Sequence, residues 1–236
     1  LQGAGAVLVP INTRLKGREA GFLLRRSRAR VLVTVGGAFL GTDYVAALRG
    51  EALPHLERIV ALGAAAAGAQ AWDDFLAGGA AVPEAAARAC AEAVGPDDLS
   101  DLLFTSGTTG QPKGVMTAHG QNLRAFAAWS EVVGLRTGDR YLVVNPFFHA
   151  FGYKAGWLSC LMRGATVLPH AVFDVPAVLA RIPRDRVSVL PGPPTLYQSI
   201  LAHPARAGAD LSSLRLAVTG AAAIPVELIH RMRGEL

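Results

Sequence analysis

Short β-branched runs, each reached through a helical repeat, constrain this chain more than any other feature of its sequence. Residues 17–27, GREAGFLLRRS, put Ala20, Leu23 and Leu24 at helical spacing and lead into RVLVTV, a run closed by Gly36 and Gly37. The order returns as AFLGTDYVAALRG (38–50) before RIVALG (58–63), then as VPAVLARIP (175–183) before VSVLPG (187–192), and it ends in LRLAVTG (214–220). Helix-then-strand units in series predict an α/β fold, with largely parallel sheets covered by helices. The opening GAVLVPIN reads as one more strand. Between residues 61 and 97 the chain turns to Ala and Gly, which reads as a surface excursion with a helix at PEAAARACAEAV.

A chain of 236 residues with 51% apolar content and 17% charge can bury a substantial core. Its net charge of +5 is spread from Arg14 to Arg233 without a dense basic block, which argues against a nucleic-acid footprint. Cys90 and Cys160 have no CxxC or histidine partner at metal spacing, so free thiols in a reducing compartment are expected and no metal site is assigned. No apolar run reaches membrane-spanning length and no signal segment opens the chain; a cytoplasmic location is the default.

The stretch FTSGTTGQPKGV (104–115) crowds three glycines, hydroxyl side chains and a lysine into a turn that no core requires. It follows the short apolar run DLLFT, so it is expected at a strand end, where open α/β sheets bind ligands. Glycine tolerates left-handed backbone and leaves no side chain in the way, so successive N–H groups can converge on one anion. Thr105, Ser106, Thr108 and Thr109 add hydroxyls, and Lys113 is one of only three lysines among 23 basic residues. The natural ligand of such a loop is a phosphate chain. The spacing is not that of the Walker loop, because Gly107 and Gly110 are three apart and Lys113 sits between Pro112 and Gly114. The plain alternative is a polar hairpin turn.

TSGTTGQPKGV resembles the phosphate-loop signature of the adenylate-forming (ANL) superfamily, which includes acyl- and aryl-CoA synthetases, amino-acid adenylation domains and firefly-type luciferases. NPFFHAFGY (145–153) resembles the second core motif of that family, and VTGAAAIP (218–225) its adenine and acyl-pocket segment. The resemblance extends to GAVLVPINTRL and VLPGPPTLYQSIL and so covers the whole chain. It implies the partial N-terminal domain of an acyl-CoA synthetase-like fold. The implied reaction joins a carboxylic acid to AMP from ATP, with magnesium on the phosphates, and passes the acyl group to coenzyme A.

Carried onto this sequence, the resemblance assigns ATP binding to Thr105, Ser106, Gly107, Thr108, Thr109, Gly110, Lys113 and Gly114. It assigns the adenine and acyl groups to Gly220, Ala221 and Ala222, and the gating of the acyl-adenylate pocket to His149. For the other five histidines a satisfied core or surface role is the plain reading, and Lys154 reads as a solvated surface residue. Asp98 reads as a turn or cap.

The family's amino-acid-activating members usually carry Phe-Asp where this chain has Phe148-His149, so an acid without an α-amino group is implied. Small residues at 152, 156 and 220–222 leave room for a bulky apolar acid. PFFHAFGYKAG with VLPGPPTLYQSIL further resembles actinobacterial ligases acting on propanoate side chains of steroid ring remnants. Fatty and aryl acids remain the other classes. The family's later motifs and small C-terminal domain are not found in these residues, so 1–236 is read as part of the large AMP-binding domain, inactive by itself. A non-catalytic nucleotide-binding or assembly module is the competing reading. The partner called for is a small carboxylic acid; self-association stays open.

Overall fold

The computed structural model describes residues 1–39, 41–105 and 112–236. The chain divides into two compact units, Leu1–Gln121 and Asn122–Leu236.

In the first unit, α1 (Gly17–Ser27) precedes β1 (Val31–Gly36), and the hairpin β2 (Ala38–Phe39) and β3 (Thr42–Asp43) leads into the short α2 (Tyr44–Ala47). Then come β4 (Arg58–Gly63), β5 (Gln70–Ala71), α3 (Trp72–Ala77) and α4 (Glu84–Ala93). Strands β1, β4 and β5 form a parallel sheet in that order, with Val31 opposite Arg58 and Gly36 opposite Gly63. Helix α1 packs through Leu23 and Leu24, both nearly inaccessible. The Lys16 amide donates to the Glu19 carboxylate at 2.9 Å, which satisfies a backbone donor where the helix begins.

Two expectations change here. Residues 38–50 are not one helix: Gly41 takes a φ of +79°, which turns β2 into β3, and Asp43 then caps α2 through the Ala46 amide at 2.9 Å. The opening run is not a full strand either; it makes one parallel bridge, Leu8 to Asp101, on either side of which the Leu8 and Leu102 amides bond. The expected helix at 83–94 is present as α4, and its residues are exposed throughout.

The unit closes with β6 (Leu99–Thr105) paired antiparallel to β7 (Lys113–Ala118), and α5 (His119–Val133) runs across the division between the units.

The second unit is a four-stranded parallel sheet in the order β11-β10-β8-β9, formed by β8 (Arg140–Val143), β9 (Thr166–Pro169), β10 (Val189–Gly192) and β11 (Leu216–Thr219). Its helical segments are α6 (Ala150–Gly152), a π-helical turn over Tyr153–Leu158, α7 (Ser159–Arg163), α8 (Val175–Arg184), α9 (Pro194–Ala202) and α10 (Val226–Glu235). Helix α8 starts where Asp174 accepts the Ala177 amide at 2.9 Å, with Pro176 in its first turn, and it buries Val178, Leu179 and Ile182. These side chains meet Leu142, Leu190, Tyr197 and Ile200 in one core cluster. Fully buried, Tyr197 donates its hydroxyl to the Leu190 carbonyl and lies 3.2 Å from that of Val218, which ties α9 to two neighbouring strands.

No described helix is long and apolar enough to cross a membrane. Cys90 is exposed and Cys160 buried, both free thiols; burial first, and the Asp139 charge second, push the Cys160 thiol up to about 12.

Candidate functional site

The candidate residues fall in both units. In the first, Thr105 ends β6 directly opposite Lys113, which opens β7. Opposed residues of an antiparallel pair project from the same face, so hydroxyl and ammonium stand together at the mouth of the hairpin, both exposed. The Thr105 hydroxyl reaches the Lys113 carbonyl at 3.5 Å. Gly114 lies opposite Phe104, and a Cβ there would sit 2.8 Å from Leu102 Cδ2 and 3.4 Å from the Phe104 ring. A side chain there would displace the end of Leu102, a flexible group. Ser106, Gly107, Thr108, Thr109 and Gly110 lie outside the described residues. The expected setting changes: DLLFT ends as one arm of a two-stranded antiparallel ribbon, β6 with β7, and not as a strand of an open parallel sheet.

In the second unit, the remaining candidates gather at one edge. Parallel strands bring their carboxyl ends to the same side, and β8 leads there into Asn145–His149 while β11 leads into Gly220–Ala222. Only β10 lies between them, a separation of about 10 Å, two strand spacings. The Asn145 amide, 3.5 Å from the Pro191 carbonyl, links the first segment to that central strand. This is the edge at which open α/β sheets take their ligands.

His149 is exposed and caps α6: its Nδ1 accepts the Phe151 amide at 3.3 Å, and its carbonyl accepts the Gly152 and Tyr153 amides at 3.0 and 2.9 Å. With Nδ1 used as acceptor, the neutral ring carries its proton on Nε2. The turn closes tightly. A Cβ at Gly152 would stand 2.3 Å from both the Asn145 and Pro146 carbonyl oxygens, so only glycine fits. Phe147 is 41% exposed, which sets it apart from a core phenylalanine.

At the end of β11, Ala221 holds a φ of +67°, a left-handed conformation that a residue with a Cβ seldom takes. Gly220 has open space where a side chain would be, and Ala222 is exposed. Beside them the Thr219 Oγ1 is buried with no hydrogen-bond partner among the described residues. The sequence reading passed over Thr219; its signal is a hydroxyl at the last position of a strand, immediately before the glycine.

Lys154 is corrected outright. It is 5% exposed, its Nζ lies 6.0 Å from the centre of the Tyr153 ring, and the Ser159 hydroxyl donates to its carbonyl at 3.0 Å. A π-helical turn advances fewer degrees per residue than an α-helix, so residues 153–156 all face inward where helical spacing would bring one of them out. Asp98 accepts the Gly95 amide at 2.7 Å, as a turn residue should.

Comparison with known proteins gives this geometry its relatives. The family model described as AMP-binding enzyme matches residues 1–236. The chain is 54% identical over 239 residues to the 3-[(3aS,4S,7aS)-7a-methyl-1,5-dioxo-octahydro-1H-inden-4-yl]propanoyl:CoA ligase of Rhodococcus jostii, covering 99% of this chain and 46% of that protein. It is also 54% identical over 233 residues to the ligase of the same name from Mycobacterium tuberculosis, covering 99% and 45%. The chain thus spans less than half the length of these curated relatives. Among solved structures, an anthranilate CoA ligase, AuaEII, in complex with anthranoyl-AMP superposes with a TM-score of 0.84 at 33% identity, covering 98% of this chain and 43% of that one. The inhibitor-bound N-terminal domain of FACL13 from Mycobacterium tuberculosis gives 0.77 at 26% identity, covering 98% and 54%. Its α/β fold, with parallel sheets under helices, is that of the N-terminal domain of acyl-CoA ligases, and the chain belongs to the AMP-binding enzymes of the adenylate-forming superfamily.

Proposed function

We propose that these residues serve an ATP-dependent acid–CoA ligase whose acid is a propanoate carried on a fused, oxygenated ring system. The observation that carries this reading is the 54% identity, across 99% of the chain, to two ligases named for such an acid. On that identity we place the steroid-remnant class ahead of fatty and aryl acids as the substrate. Residues 1–236 are taken as part of the large N-terminal domain.

In this reading the carboxyl edge of the four-stranded sheet receives the adenylate. The buried Thr219 hydroxyl and the open space at Gly220 fit a polar group of the nucleotide or acyl moiety, and the strained backbone at Ala221 holds that segment away from the strand. His149, whose Nδ1 accepts the Phe151 amide, has its Nε2–H left to donate to an oxygen of the acyl group. Thr105 and Lys113 offer a hydroxyl and a fixed positive charge to phosphate oxygens, which gain charge as pyrophosphate leaves, so their effect falls on the barrier of that step. Among the described residues no three His, Cys, Asp or Glu side chains gather as metal ligands, and none of them is given a magnesium-binding role. Transfer to coenzyme A rests on relationship alone.

The test is acid-dependent pyrophosphate release by the natural polypeptide that contains these residues, supplied with ATP, magnesium and coenzyme A. The ring propanoate should give release where palmitate and benzoate give little, and Lys113→Ala should lower the rate by roughly a hundredfold. Equal rates with all three acids would sink the substrate assignment; ATP binding with no release from any acid would replace the ligase with a nucleotide-binding module.

A further inference from the structure

At the end of the second unit's sheet opposite the candidate site, the amino ends of β8 and β10 border a cleft of about 570 Å³. It is lined by Gly138, Arg140, Arg184, Asp185, Arg186, Ser188 and Ser213, three arginines against one carboxylate. The carboxylate is paired with Arg184 and leaves the charges of Arg140 and Arg186 uncancelled within the lining. Asp185 accepts the Arg184 Nε and Nη2 at 2.8 and 3.1 Å and the Arg181 Nε at 2.6 Å, so both its oxygens are engaged, and these guanidinium groups hold its carboxyl well below the usual aspartate range. Its carbonyl takes the Arg140 Nε. One acidic residue therefore orients two of the cleft's guanidinium groups while leaving the lining with an excess of positive charge.

Arg186 supplies the third, and its backbone position is informative. The Arg186 and Val187 amides bond back to the Pro183 and Ile182 carbonyls at 3.2 and 2.9 Å, the closing pattern of a helix that ends in a left-handed residue. Glycine occupies that position at least steric cost, yet here it is an arginine with φ of +48°, exposed and in no ion pair among the described residues. The hydroxyls of Ser188 and Ser213 are turned inward, to Asp139 Oδ1 and to the Val187 carbonyl, each at 2.8 Å, so recognition falls to the arginines. Planar guanidinium forks held in place suit the oxygens of phosphate groups better than a single-point anion.

We propose that this cleft is a second anion site, distinct from the nucleotide edge, which takes a phosphate-bearing group through Arg140, Arg184 and Arg186. The phosphate belongs either to a soluble polyphosphate compound or to a lipid headgroup, and the two sources share this chemistry.

Calorimetric titration of the whole protein with sodium pyrophosphate tests it, beside sedimentation with phosphatidylglycerol and phosphatidylcholine vesicles. Arg186→Gly removes the guanidinium while keeping the backbone turn, so its thermal midpoint should not fall. Pyrophosphate binding that weakens about tenfold or more in Arg186→Gly, stays in Lys113→Ala and fades with added salt supports a site for soluble phosphates. Binding only to the anionic vesicles, lost in Arg186→Gly, assigns the cleft to a headgroup. Binding lost only in Lys113→Ala belongs to the nucleotide loop and overturns the proposal, as does no binding to either probe.

Discussion

Asp139 is charged at a place where burial alone would favour its neutral form. Burial raises its pKa, but the Arg215 guanidinium, the Arg136 amide at 2.9 Å and the Ser188 hydroxyl at 2.8 Å outweigh that and hold the carboxyl below the usual aspartate value. The Ser188 hydroxyl also accepts the Arg140 amide at 2.9 Å, so one carboxylate joins the amino ends of three strands. Since the folded pKa lies below the unfolded value near 3.9, this contribution is complete above that pH and is lost as pH falls through the folded value. Asp139→Asn should cost about 2–3 kcal/mol at pH 7, because Arg215 is left without its counter-charge, and should flatten the fall in stability as pH drops below about 4. Urea unfolding across that range measures both, and an unchanged acid limb would remove Asp139 as its source. At this scale the sequence showed what residues are, and less where they point. His149 stood out in its motif, whereas Lys154 read as a surface residue because nothing in its spacing announces a π turn.

Elements with one strong periodic signal were legible to within a residue or two. GREAGFLLRRS is α1, and VPAVLARIP falls inside α8, since each combines an apolar stripe with a start signal. The failures share a cause, a turn whose residues fit two descriptions. AFLGTDYVAALRG has helical spacing, yet Gly41 and the Asp43 cap break it into a hairpin and a short helix. DLLFT reads the same whether its partner is parallel or antiparallel, so the sequence could not distinguish a strand of the main sheet from the hairpin arm it is. The His149 turn tests how closely element and site are tied. Its shape depends on two carbonyls standing where a Cβ on Gly152 would be, so Gly152→Ala must move the chain that carries His149. The expected cost is about 2–3 kcal/mol by urea titration, with pyrophosphate release reduced more than ATP binding. Stability within about half a kcal/mol of the parent would mean that the turn has room to spare.

Across the molecule, burial is unevenly shared between the two units. Both core clusters lie between Trp129 and Leu236, whereas among the described residues the buried apolar side chains of the first unit are Leu23, Leu24, Val45, Leu48, Val60 and Ala61. Strand β10 has partners on both sides, and Val189 and Leu190 are inaccessible to solvent. In the first unit, among the described residues, β1 pairs on one side, with Val31 and Val33 exposed by 48% and 40%. Local opening free energy follows buried apolar contact, so the units should not exchange their amide hydrogens alike. The Leu190 amide should exchange only through the largest opening the protein undergoes, while the β1–β4 amides should exchange at least about tenfold faster at the same pH. Native-state hydrogen exchange resolved by peptide decides it. Equal protection in β1–β4 and β10 would mean that the two units open as one cooperative body, and that the thin core of the first unit draws its stability from beyond its own side chains.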